Sequence, residues 1–205
     1  MDRPWFQFYD EDVPHSLIFP PLTAPDFLRR SAERHPNQTA TVFFGARLTY
    51  RQLKQHVDRL AAGLHALGVS RGDRVAILLP NCPQTIIAYY ATLSLGAVAV
   101  LTNPLYVERE LIHQWGDAGV ETAIVLEPLW PRVDQVRRQI SLKNIVVSGI
   151  QDYLPLAKKL LYPIKARRDG SWTPAPDRPG VVRFRHLMRR GGGPPPGNVS
   201  PDHQG

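Results

Sequence analysis

From residue 39 onward the apolar positions fall into short blocks whose period switches between strand-like and helix-like. Residues 39–44 are rich in β-branched and aromatic side chains, Gly45-Ala46 supplies a turn, and residues 47–50 resume the extended pattern. Together they predict a β-hairpin near residues 39–50. Thr49 stands at capping-box spacing before Gln52, which predicts a helix start there. Leu53, Val57, Leu60, Ala61, Leu64 and Leu67 then recur at helical spacing and mark one apolar face. Gly68 followed by Val69 has the form of a glycine C-cap with an apolar residue beyond it. The next hundred residues alternate. Short apolar runs at 75–79, 97–101, 122–126 and 144–147 predict buried strands, and residues 84–95, 107–118 and 129–140 predict the helices between them. Residues 84–95 are apolar nearly all round, whereas 107–118 carry Leu111, Ile112 and Trp115 on one face and end at Gly119. Strands alternating with helices of this length imply an α/β fold, a mainly parallel sheet with flanking helices.

After Gly149 the pattern changes. Residues 153–164 interleave Leu154, Leu156, Leu160, Leu161 and Ile164 with lysines, and Pro155 and Pro163 are expected to limit any helix to about two turns. From Gly170 the chain reads as a linker rich in proline and glycine, ending in the run Gly191-Gly192-Gly193-Pro194-Pro195-Pro196-Gly197. The organisation expected is an α/β unit at 1–150, a basic amphipathic segment at 151–170 and a linker at 171–205. Charge follows the same division. Residues 1–150 hold 15 basic and 14 acidic side chains, whereas residues 151–205 hold 10 and 4, so nearly all of the net +7 sits in the last quarter. Such a patch suits phosphates, anionic lipid or nucleic acid. Aromatics do lie near basic residues, as Trp172 and Phe184 with Arg183 and Arg185, but they form no nucleic-acid-binding motif and no nucleic acid is expected.

The single cysteine, Cys82, allows no intrachain disulfide, and residues 1–13 lack the features of a signal peptide. The longest apolar stretch, 86–101, is broken by Thr92, Ser94 and Gly96 and is too short to span a membrane. A cytoplasmic protein, with peripheral membrane contact as a further option, is the expectation. Spacing discloses no catalytic, cofactor-binding or metal-binding residue. The seven histidines are scattered, no Gly-x-Ser-x-Gly occurs, and Asp10, Glu11 and Asp12 form a solvated cluster near the terminus. The glycine run at 191–197 has no lysine, serine or threonine, and no strand pattern stands before it, so it does not read as a phosphate-cradling loop.

Residues 48–110 carry a resemblance. "LTYRQLKQHVDRLAAGLHALGVSRGDRVAILLPNCPQ" followed by "LSLGAVAVLTNPLYVEREL" resembles the opening of the AMP-forming adenylate ligases, which include acyl-CoA synthetases, luciferases and peptide-synthetase adenylation domains. Leu48-Thr49-Tyr50 with Leu53 is similar to the first core motif, and Leu95-Gly96-Ala97 through Leu105-Tyr106 to the second. Asn103-Pro104-Leu105-Tyr106 with Arg109-Glu110-Leu111, the lead-in "PW…VPHSLIFP" and the basic "YLPLAKKLLYPIKAR" resemble the long-chain fatty acid–CoA ligase branch. The likeness covers residues 4–190. It implies an incomplete N-terminal subdomain of an adenylate-forming enzyme, in which Thr49, Tyr50, Leu53, Gly96, Asn103, Pro104, Tyr106 and Arg109 are motif positions of structural rather than catalytic role.

Members of the family join a carboxylic acid, a fatty acid in the long-chain branch, to ATP to give an acyl-adenylate and pyrophosphate, then pass the acyl group to the thiol of CoA. They use ATP, Mg2+ and CoA. The phosphate loop, the later acidic residues and the mobile lysine that do this chemistry have no counterpart here, and residues 184–205 resemble the stretch just before that loop. Two readings follow. The chain is part of a ligase, inactive alone and binding none of these cofactors, or it is a non-catalytic module that binds a partner or an anionic membrane surface through residues 153–168. Either way an unfinished sheet leaves an open edge and apolar surface, so self-association or a companion chain is expected.

Overall fold

The computed structural model describes residues 3–17, 19–170 and 178–190. A short 3-10 turn, Pro4–Phe8, precedes helix α1, Ala24–Arg34. The Asp26 carboxylate accepts hydrogen bonds from the Thr23 backbone N–H (2.9 Å) and hydroxyl (2.7 Å) and pairs with Arg29. The Thr23 bonds, aided by Arg29, hold that carboxyl down to about 2.

The hairpin forms as expected from β1, Thr39–Phe43, and β2, Ala46–Thr49, paired antiparallel with a register shift between Thr39 and Thr41. Its turn lies one residue earlier than the sequence suggested, at Phe44-Gly45 rather than Gly45-Ala46. Both turn residues have positive φ (49° and 95°), the conformation whose twist matches a two-residue hairpin. Helix α2, Tyr50–Ala66, begins on the expected reciprocal cap: Gln52 N–H donates to Thr49 Oγ1 (3.3 Å) and Thr49 N–H to Gln52 Oε1 (2.9 Å). It ends at Gly68, whose φ of 92° lets Val69 N–H return to the Leu64 carbonyl at 3.0 Å.

The alternating region builds a parallel sheet. Strand β3 is Arg74–Leu78, β4 Val98–Leu101, β5 Thr122–Leu126 and β6 Asn144–Ser148. Helices α3, Pro83–Ser94, α4, Glu108–Ala118, and α5, Trp130–Val136, connect them. Because side chains alternate across a strand, one face of the sheet presents Val75, Ile77, Ile124 and Val146 to α2 and α3. The other presents Ala76, Leu78, Ala123, Val125, Ile145 and Val147 to Leu111 and Trp115 of α4 and Val133 and Val136 of α5. Burial on both faces is why these strands read as unbroken apolar runs.

Several expectations are corrected. Helix α3 is not buried all round: Gln84, Ile87, Ala88, Ala91 and Thr92 are buried, but Ile86 is exposed and Tyr89 and Tyr90 are half-buried. Helix α5 stops at Val136 instead of 140, where the chain turns and Gln139 N–H bonds to the Val136 carbonyl. Helix α6, Leu156–Arg168, runs for 13 residues straight through Pro163 rather than stopping after two turns. Proline removes one hydrogen bond there, and the exposed surroundings of residues 156–161 leave the orphaned carbonyl in reach of water. Residues 178–190 are not linker. Strand β7, Val181–Arg183, pairs parallel with β6, and helix α7, Phe184–Arg190, packs on α2 with Phe184 and Leu187 in the core. The expectation that no strand precedes the glycine run therefore fails, while the run itself, 191–197, lies outside the described residues, as does Trp172.

The sheet order is β4-β3-β5-β6-β7. The chain leaves β3 to one side for β4 and then crosses to the other side for β5, the order of a doubly wound sheet.

Candidate functional site

In such sheets the loops at the carboxyl ends of strands on either side of the reversal diverge and leave a crevice. Here that edge gathers residues following β3, β4, β5, β6 and β7. Glu127, directly after β5, is 8% exposed. Its carboxylate receives Arg183 Nη1 of β7 on Oε1 at 3.3 Å and Gln151 Nε2, from the turn after β6, on Oε2 at 3.0 Å. Gln84 enters from the first turn of α3. It is fully buried, and its Nε2 donates to the Gly149 carbonyl at 2.9 Å. Among the described residues, Gln84 Oε1, Gln151 Oε1 and Ser148 Oγ are buried without a hydrogen-bond partner. A buried polar atom left unpaired costs about 1–3 kcal/mol, so these three call for partners, ordered water included, beyond the bonds just described.

The loop after β4 joins the same edge. Trp115 Nε1 donates to Thr102 Oγ1 at 2.9 Å, both groups being buried. The Asn103 side chain accepts from Leu105 N–H at 3.0 Å, and Arg132 of α5 ties the loop down through the carbonyls of Pro104 (3.1 Å) and Tyr106 (2.6 Å). Arg132 thereby fixes Asn103-Pro104-Leu105-Tyr106 as a shaped rim, with Leu105 left 83% exposed.

The motif positions do not converge on one site. Asn103, Pro104 and Tyr106 stand at the carboxyl edge. Thr49, Tyr50 and Leu53 lie at the junction of hairpin and α2, where Tyr50 N–H donates to the Gln38 carbonyl and Leu53 is in the core. Gly96 lies in the turn entering β4, at the opposite edge, with φ 69° and its carbonyl accepting from Gly72 N–H at 2.9 Å. Arg109 is exposed in the first turn of α4. Residue patterns missed Gln84, Glu127, Ser148, Gln151 and Arg183. One signal was available for two of them: Glu127 and Ser148 fall at the carboxyl ends of strands that the pattern did identify.

A second polar cavity, about 470 Å3, opens between the hairpin, α2 and α7. Tyr153 Oη and His56 Nδ1 lie 3.1 Å apart in it. Burial, then the charge of Arg59, lowers the His56 pKa; burial raises those of Tyr153 and of Asp152, the latter opposed by Lys159 and Arg185. Among the described residues no three His, Cys, Asp or Glu side chains come together. Nor, among the described residues, is any helix long and apolar enough to cross a membrane.

A sequence profile described as AMP-binding enzyme matches residues 28–201. The chain belongs to the AMP-binding enzyme family. It is 41% identical over 166 residues to a long-chain-fatty-acid–CoA ligase of Bacillus subtilis (strain 168), an alignment that covers 81% of this chain and 30% of that enzyme. It is 29% identical over 194 residues to a long-chain-fatty-acid–CoA ligase of Escherichia coli O157:H7, covering 93% of this chain and 34% of the relative. Among solved structures, an anthranilate CoA ligase in complex with anthranoyl-AMP matches with a TM-score of 0.69 at 22% identity, over 89% of this chain and 30% of that one. A long-chain-fatty-acid-CoA ligase from Archaeoglobus fulgidus matches with a TM-score of 0.60 at 24% identity, over 64% of this chain and 28% of that one. At those identities the likeness establishes the fold: the parallel sheet with its helices, and the antiparallel hairpin, are those of adenylate-forming enzymes. This member of the family spans about a third of the length of the curated relatives it matches.

Proposed function

We propose that this chain is the N-terminal α/β lobe of a long-chain fatty acid–CoA ligase, the enzyme type that converts ATP, a fatty acid and CoA to acyl-CoA, AMP and pyrophosphate. The observation that carries the proposal is the 41% identity to the Bacillus subtilis ligase across 81% of the chain. The unpaired polar atoms of Gln84, Gln151 and Ser148 fit it, because they call for partners beyond the bonds described. In this reading the lobe positions rather than reacts. Arg132 holds the Asn103-Pro104-Leu105-Tyr106 rim, and the Glu127–Arg183 pair fixes the mouth of the crevice.

By itself the chain does not form acyl-adenylate in this reading. Activating a carboxylate demands that the triphosphate be screened by basic and backbone N–H groups as AMP becomes the leaving group, and the run at 191–197 has no lysine, serine or threonine to contribute. ATP–pyrophosphate exchange with palmitate tests this half: no exchange above background is expected, and exchange by the 205-residue chain would refute it. A chimera tests the other half. Residues 3–190 replace the aligned segment of the Bacillus subtilis ligase, and palmitoyl-CoA formation is measured. A folded chimera that forms the thioester supports the lobe assignment; one that folds and stays inert overturns it.

A further inference from the structure

The cavity of about 470 Å3 between the hairpin, α2 and α7 gathers charge of one sign. Arg59 of α2, Lys159 of α6 and Arg185 and Arg189 of α7 border it, and among the described residues Asp152 is its one carboxylate. Other carboxylates close by are engaged elsewhere. Asp58, next to Arg59 in sequence, receives Lys54 Nζ at 2.6 Å, and Glu127 receives Arg183. Among the described residues none of the four cations at the cavity forms a salt bridge.

This crowding works against the local structure. Arg185 stands in the first turn of α7, at the positive end of the helix dipole, with no acidic residue beside it in that turn. Arg189 follows four residues later on the same side of the helix, and like charges at that spacing repel. Across the cavity, burial and then the charge of Arg59 hold His56 below its ordinary pKa. An anion in the cavity relieves all three. The walls add uncharged groups that can donate to it. Tyr153 Oη lies 3.1 Å from His56 Nδ1, and burial keeps that hydroxyl protonated. Thr41 of β1 also borders the cavity, and its Oγ1 is buried with no hydrogen-bond partner among the described residues.

We propose that this cavity is a binding site for a small soluble molecule carrying a multiply charged phosphate, a monoester or a diphosphate. Four cations less one carboxylate leave a surplus of three positive charges, which suits a dianion or trianion better than a carboxylate or a phosphodiester. A cleft lined by one sign of charge concentrates its field within the recess, and the arginine forks match the oxygens of a phosphate. The volume falls in the range of small-molecule recesses, about 300–1,000 Å3. Leu48, Leu154, Phe184 and Met188 supply an apolar wall for the rest of the molecule. Once bound, the phosphate ties together α2, α6 and α7, three helices that otherwise turn like charges toward one another. The proposal does not rest on the ligase assignment, since it uses no reacting group and requires neither fatty acid nor CoA.

Calorimetric titration of the full 205-residue chain with inorganic pyrophosphate, in the absence of divalent metal, is the test. Saturable one-to-one binding is expected, together with a melting temperature that rises with pyrophosphate concentration. Arg185→Gln with Arg189→Gln should weaken binding roughly tenfold, since an exposed ion pair contributes up to about fivefold. Lys159→Gln, on the α6 side, should weaken it by roughly threefold and gives an independent reading should the α7 variant unfold. Lys165→Gln with Arg168→Gln removes the same charge from α6 at positions outside the cavity, and should change the affinity by less than about twofold, because only screened, distant charge is lost. Dimethyl phosphate, the singly charged diester form found in a phospholipid headgroup, should compete at least about tenfold more weakly than pyrophosphate, having less charge to place among the cations. Absence of saturable binding, undiminished affinity in the folded cavity variants, equal losses in the cavity and control double variants, or equal competition by dimethyl phosphate would overturn the proposal.

Discussion

Helix α7 meets α2 at a glycine, and that contact supplies a prediction whose sign is at stake. A Cβ built on Gly63 would lie 2.8 Å from Leu187 Cβ, 3.1 Å from the Leu187 carbonyl oxygen and 3.3 Å from its carbonyl carbon. Two of these three atoms are backbone and the third is fixed to it, so no rotamer change relieves the clash. Helix propensity alone favours alanine over glycine by about 1 kcal/mol. Overpacking a tight contact costs about 1–3 kcal/mol. The second term wins at Gly63, and Gly63→Ala should destabilise the chain by about 1 kcal/mol, which lowers the melting temperature by about 2–4 °C for a chain of this size. Gly116 in α4 is the matched control. Its nearest atom to a built Cβ is Ile140 Cγ2 at 3.9 Å, ordinary contact, so Gly116→Ala keeps the propensity gain and should raise the melting temperature by about the same 2–4 °C. Far-UV circular dichroism at one low protein concentration reads both, the concentration being held fixed because self-association would shift the midpoint. If Gly63→Ala stabilises as much as Gly116→Ala, α7 does not pack on α2 as described, and the burial of Phe184 and Leu187 fails with it.

Two further outcomes follow from single groups. His56 titrates below its ordinary value near 6.5 because it is buried and faces Arg59; the folded chain thus favours neutral imidazole, and stability present above the unfolded-state pKa is lost as pH falls below it. Between about pH 8 and 5.5 the urea midpoint should fall more for the parent chain than for His56→Gln, and equal falls would remove His56 as the cause. Strand β4 is an edge of the sheet, with Val98 50% and Leu101 57% exposed. Light scattering should show self-association that Val98→Lys suppresses, since a charge on an open edge blocks pairing; a parent chain that stays monomeric at high concentration contradicts this.

Most of the fold between residues 39 and 148 was legible because each element there carries its own signal. The α2 cap needs only Thr49 and Gln52, its end only Gly68, and strands β3, β5 and β6 are buried on both faces and so announce themselves as apolar runs. Strand β7 and helix α7 carried no such signal. Three residues, Val181–Arg183, have no period to detect; they become a strand by hydrogen bonding to β6, and Phe184 and Leu187 become core by meeting Gly63 and its neighbours on α2. Nor did residue patterns reveal the carboxyl-edge cluster. Gln84, Glu127, Ser148, Gln151 and Arg183 stand as far as 99 positions apart along the chain, and only the strand order β4-β3-β5-β6-β7 brings them to one edge. Helix α6 shows the division in one element. Its alternating leucines and lysines were readable as amphipathic, but which side faces water depends on what the rest of the fold presents to it, and that put Ala166 inside and Leu156, Leu160, Leu161 and Ile164 outside. Local hydrogen bonds and two-sided burial are written residue by residue, so sequence alone determined the hairpin, the caps and the central strands. Edge strands, the polar crevice and the outward face of α6 arise from contacts between distant segments, and tertiary structure alone decided them.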